Sequence, residues 1–164
     1  MPRRYIPSRP RHVAAPNLRN PVAMATLRAQ TNRDITTLLS TAGIHALMGG
    51  DKGLMVYKLG WLFWVIVGGA GACGISMDEP DVRIIRSTAN LLADLQECDT
   101  REVTLQERIA FSSAVNACQR LRPRITELAI YQAAARMQHL LDSKGSMGTA
   151  DMESMVEGFA EVPA

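Results

Sequence analysis

Aromatic side chains are scarce: three Phe, three Tyr and two Trp make up 5% of the 164 residues. No strand–turn–strand pattern is present either. The core must therefore be built from Ala, Leu, Val, Ile and Met, a palette that suits helices better than sheets. Cysteine is sparse too. Cys73, Cys98 and Cys118 are odd in number, far apart and without a C-x-x-C pair. That excludes a disulfide framework and a zinc pattern, and it fits reduced, packed thiols in a cytosolic setting. G-x-S-x-G, S-x-x-K and H-E-x-x-H are all missing. His12, His45 and His139 are not paired with one another at i+3 or i+4, so no metal site is expected. No catalytic or cofactor-binding residue is assigned, and no small-molecule ligand is expected. The arginine-rich start is broken by prolines instead of leading into an apolar segment, which argues against a signal peptide.

Acidic residues are missing from the first 33 positions, which carry seven arginines. Residues 34–164 carry eleven basic and sixteen acidic side chains, a formal balance of −5. A basic arm thus precedes a mildly acidic body. The arm, residues 1–20, holds four of the eight prolines, with a fifth at Pro21, and is expected to be extended.

Hydrophobic residues make up 47% of the chain, enough for the core of one domain. The expected fold is all-α: an antiparallel bundle of about five helices over residues 21–142, then a flexible acidic Gly/Ser/Met tail over 143–164 with a short helix at 150–160. Asn20-Pro21 caps the first helix, which runs to about 48 with Leu27, Thr31, Ile35, Leu38, Ala42 and His45 at helical spacing. Gly49-Gly50 stops it. Asp51 caps the second, to about 74. For the third, Ser76 with Glu79 reads as a capping box and Asp78 as an alternative cap. Its stripe is Val82, Ile85, Ala89, Leu92 and Leu95, and it ends near Cys98. Thr104 with Glu107 is another capping box. It opens a helix whose expected inner face is Leu105, Ile109, Ala110, Ala114, Ala117, Cys118 and Leu121. Pro123 breaks the path. The last helix, about 124–142, has Ile125, Leu128, Gln132, Ala135 and His139 on one side and Ile130, Ala133, Met137, Leu140 and Leu141 beside them.

The segment WLFWVIVGGAGACGIS, residues 61–76, admits three readings. GAGACG matches G-x-G-x-x-G, but a dinucleotide site needs a helix opening on those glycines. Asp78-Glu79-Pro80 follows too soon for one. Leu59 to Met77 is long enough, without charge, to span a bilayer, with basic residues before it and acids after it. A central buried helix explains the same pattern, with Gly60, Gly68, Gly71 and Gly74 letting neighbours approach closely. The buried helix is the favoured reading and the membrane span the lesser one.

Arginines are the remaining candidates for function. Arg3, Arg4, Arg9, Arg11 and Arg19, with Tyr5 as an anchor, form a partner-binding arm. Arg120, Arg122 and Arg124 around Pro123 form a second basic patch. Such arms bind acidic protein surfaces or phosphate backbones. A protein partner or self-association is the first expectation and nucleic acid the second.

The order of parts resembles small phage- and prophage-encoded helical proteins of proteobacteria over residues 3–140. The motifs are RRYIPSRPRH, an N-P-capped helix, an apolar Ala/Gly helix, a V-R-I-I-R helix, and T-L-Q-E-R opening an alanine-rich helix. The resemblance implies a mobile-element context, in which a non-enzymatic accessory protein acts in the host cytoplasm by binding another macromolecule. It assigns no functional residue.

Overall fold

The computed structural model describes residues 20–48, 51–98 and 100–144. The basic arm, the Gly49-Gly50 stop and the 150–160 segment lie outside the described residues. Five α-helices pack together, α1 (Pro21–Met48), α2 (Lys52–Ala72), α3 (Pro80–Glu97), α4 (Leu105–Leu121) and α5 (Glu127–Lys144), with a 3-10 turn at Arg122–Arg124. No strand occurs among the described residues. The all-α bundle expected from the composition is the fold.

Helix starts follow from capping chemistry. The Asn20 side-chain oxygen accepts from the Val22 N–H at 3.0 Å, with Pro21 in the first turn. Asp51 accepts from the Leu54 N–H at 3.0 Å. At α4 the capping box is complete: the Glu107 N–H donates to Thr104 Oγ1 at 3.2 Å and the Thr104 N–H donates to Glu107 Oε2 at 2.8 Å. Each satisfies N–H groups that the first helical turn leaves unpaired.

The start of α3 departs from expectation. Its cap is Glu79, whose side chain makes no capping bond, with Pro80 in the first turn. Ser76 Oγ accepts from the Asp78 N–H at 3.2 Å, one turn too early. A box starting at Ser76 would put Pro80 at the fourth helical position, where its missing N–H would break the ladder. Proline therefore sets the start, and Glu79 is held extended at φ −60°, ψ 137°.

α2 is the hub. Residues 62–70 are buried without a break, and α2 packs against each of the other four helices. Close approach occurs at Gly69, a glycine the sequence reading does not single out, and not at Gly60. A Cβ on Gly69 would lie 2.9 Å from Ile125 Cγ2 and 3.4 Å from Ile130 Cδ1, whereas one on Gly60 would meet nothing within 4 Å. Gly69 thus sets how closely α5 crosses α2. Gly74 has another role: at φ 73° it terminates the helix. The Ile75 N–H reaches the Ala70 carbonyl and the Gly74 N–H the Gly71 carbonyl, both at 3.0 Å, the paired bonds of a Schellman ending.

Two faces also differ from the sequence reading. On α4 the inner face is Phe111, Ala114, Val115, Ala117, Cys118 and Leu121. Leu105 is 72% and Ile109 54% exposed. On α5, Ala129, Ile130, Ala133, Ala134 and Met137 are buried, with Ile125 just before the helix, while Leu128, Gln132, Ala135 and His139 face solvent. Both helices have apolar residues on more than one side, so periodicity alone left their rotation open. α5 starts at Glu127 and runs on to Lys144, displaced from the expected 124–142.

Long-range bonds fix the directions. Asn32 of α1 donates to the Glu127 carbonyl at the start of α5, and Gln119 near the end of α4 donates to the Leu39 carbonyl. Arg120 of α4 pairs with Asp81 at the start of α3. At the opposite end, the Lys52 ammonium at the start of α2 donates to the Cys98 and Arg101 carbonyls after α3, at 2.6 and 2.8 Å. Successive helices therefore alternate in direction. One end of the bundle gathers the starts of α3 and α5 with the ends of α2 and α4; the other gathers the starts of α2 and α4 with the ends of α1 and α3.

Candidate functional site

The arginines around Pro123 are brought together at the first of these ends, and each is engaged there. Arg120 grips Asp81 through Nε, 3.1 Å from both carboxylate oxygens, and through Nη2 at 2.5 Å. Arg124 pairs with both carboxylate oxygens of Glu79. Arg122 donates to the Ile125 carbonyl at 3.0 Å and to Asn32 Oδ1 at 2.6 Å, while the Asn32 amide donates on to the Arg28 and Glu127 carbonyls. Asn32 is 6% exposed. This network ties α1, the 3-10 turn and α5 together. The Arg120 guanidinium holds the Asp81 carboxyl below its ordinary value. The second patch thus carries three cations that each bond within the chain, with the Arg120 and Arg124 side chains still 56% and 52% exposed. Arg3, Arg4, Tyr5, Arg9, Arg11 and Arg19 lie outside the described residues.

The other end has a different character. Among the described residues, six of the nine exposed large apolar side chains, Ile44, Leu47, Leu54, Tyr57, Leu105 and Ile109, belong to the helix halves that meet there. Its polar anchor is Glu107, which accepts from Arg101 at 2.7 Å and from both the N–H and hydroxyl of Thr104. Those donors, the Arg101 guanidinium first, hold the Glu107 carboxyl down to about 2. Leu105 and Ile109 were legible as apolar but were assigned to the wrong side.

A third feature was missed. Trp64 of α2 and Arg83, Arg86, Ser87 and Asn90 of α3 line an open cavity of about 210 Å³. The available signal was the i, i+3 pair of arginines in V-R-I-I-R.

Cysteines and histidines fill out the survey. Cys118 is buried, Cys73 half-buried and Cys98 exposed, so the packed-thiol expectation fails at Cys98, which lies just past the end of α3. Burial pushes the Cys118 thiol up, away from its reactive form. His139 is exposed. No group of three or more His, Cys, Asp or Glu gathers among the described residues. GAGACG occupies the last turn and C-cap of α2, where carbonyls point outward, the wrong polarity for a phosphate. α2 is long and apolar enough to cross a membrane, and 67% of its apolar window is buried against the other helices. Comparison with protein-family models, with curated proteins and with solved structures returns no match.

Proposed function

We propose that the chain is a non-enzymatic accessory protein of the phage or mobile-element kind, which acts in the cytoplasm by binding a protein partner and by self-association. One observation carries the reading: Ile44, Leu47, Leu54, Tyr57, Leu105 and Ile109 are exposed toward a single end. Covering apolar surface contributes about 25 cal/mol per Å², and exposed apolar groupings of this kind mark interaction sites. The arm arginines, from Arg3 to Arg19, add bidentate contacts to an acidic surface of the partner. Nucleic-acid binding by the arm and a membrane span through 59–77 are the alternatives, and no comparable observation favours either.

Sedimentation equilibrium tests the reading. The chain should exceed its monomer mass of 17.9 kDa. Ile44→Glu with Tyr57→Glu should return it to a monomer with an unchanged melting temperature. A wild-type monomer at every concentration that also retains no protein as bait would end the proposal. A salt-sensitive shift of nucleic acid, lost when residues 2–19 are deleted, would favour the first alternative.

A further inference from the structure

We infer that residues 151–162 dock as an amphipathic helix on the apolar end of their own chain, beside the start of α4, and so regulate access to it. The inference rests on that end being a binding surface, as proposed above. Residues 145–164 lie outside the described residues, and their sequence states what they offer. Met152, Met155, Val156 and Phe159 fall at i, i+3, i+4 and i+7, one apolar helical stripe. Glu153, Glu157 and Glu161 recur at i+4 on another side, and Pro163 supplies a stop. With Asp151, the segment carries four acids and no base.

The start of α4 is complementary to it. Leu105, Arg108 and Ile109 stand at i, i+3 and i+4 on one side of the helix. Leu105 and Ile109 are exposed, while Arg108 Nη1 is buried with no hydrogen-bond partner among the described residues. Glu107 beside it is already engaged, accepting from Arg101 and Thr104. A cation in the opening turns of a helix also faces the positive end of the dipole. An apolar stripe edged by Glu153 answers both features: the apolar groups cover each other, and the carboxylate supplies Arg108 with a charge-assisted bond. The same register that joins Gln119 to the Leu39 carbonyl brings Leu47, about two turns beyond Leu39, level with this half of α4.

The chain reaches this end. Thr126 lies 3.8 Å from Cys73, and Ile130 lies against Gly69, so α5 runs antiparallel to α2. Lys144 is as many residues beyond Ile130 as Met55 is before Gly69, and Leu140 and Leu141 keep α5 on the core. Residues 145–150 span up to about 20 Å when extended. A tether that short holds the segment at an effective concentration of about millimolar, which favours the chain's own segment over one from a second copy.

Hydrogen–deuterium exchange of the full chain tests the inference, read at residues 151–161 in dilute, monomeric protein. Exchange there should be about tenfold or more slower than in a free peptide of the same sequence. Leu105→Glu, on an exposed residue, should abolish the protection and Arg108→Gln should reduce it. Leu128→Glu, the same change on an exposed position of α5, should leave it within about twofold. Met155→Glu with Phe159→Glu should free the end and lower the concentration needed for self-association about tenfold, the effective-concentration advantage being lost. Free-peptide exchange rates in the wild type overturn the inference, as do equal losses in Leu105→Glu and Leu128→Glu, or protection that appears only as concentration rises. Self-association without protection sinks the docked segment and leaves the binding end standing. Protection in a chain whose freed end still associates with nothing sustains the docked segment and removes the binding role.

Discussion

The two ends of this bundle are built from the same five helices and close in opposite ways. At one, α3 and α5 begin where α2 and α4 finish. Asp81, Glu79, Asn32 and three arginines spend their hydrogen bonds on one another and on free backbone carbonyls. At the other, Arg101, Glu107, Thr104 and Lys52 knit the connections, and apolar side chains remain in water. The difference teaches that the same helices can close one end with ion pairs and close the other while leaving apolar side chains exposed. The arginines that read as a binding patch lie at the closed end.

Perturbing the closed end should cost the most. Gly69→Val drives a side chain into Ile125 and Ile130, where a Cβ already comes within 2.9 Å. A loss of about 1–3 kcal/mol in urea unfolding is expected for such overpacking; an unchanged midpoint would mean that α5 can shift away freely. Asn32→Ala removes the acceptor of Arg122 and the donor to Glu127. With its partners half-buried, a loss of about 1–3 kcal/mol is expected, and Asn32→Asp should recover part of it by restoring the acceptor.

At the open end the effects should be smaller. Thr104→Ala dismantles the capping box of α4 and should cost about 1 kcal/mol. A smaller pH effect accompanies it. Glu107 is held at about 2, below its ordinary 4.5, so its contribution is complete above pH 4.5 and is lost as the pH falls toward 2. Asp81, also lowered, acts in the same direction. Glu107→Gln should therefore lose less melting temperature than the wild type on acidification through that window. Equal losses would show that Glu107 is not the titrating group. The least change in stability, within about ±0.5 kcal/mol, is expected from Tyr57→Glu, which is 60% exposed. A larger loss there would place Tyr57 in the core and remove the contrast between the ends.

Much of the fold was legible because local chemistry decides it. Asn20-Pro21, Asp51 and the Thr104/Glu107 box fixed three helix starts, and the stripe Val82, Ile85, Ala89, Leu92 and Leu95 is buried as its spacing implies. Less of the candidate surfaces was legible. Arg120 and Arg124 read as part of a basic patch, and the carboxylates they meet, Asp81 and Glu79, lie about 40 positions away. No local pattern records such a pairing. Leu105 and Ile109 looked like core because an apolar residue at the correct spacing carries no mark of which side its helix will turn inward.

The sequence by itself determined that the chain is helical, roughly where each helix begins and ends, and that α2 lies at the centre. These follow from propensity, capping and an unbroken apolar run, all of which act within one or two turns. Only the tertiary structure decided the rotation of α4 and α5, the close approach at Gly69, and which carboxylates Arg120 and Arg124 meet. Those outcomes depend on packing and on charges distant in sequence, where the deciding distances are set by the other helices.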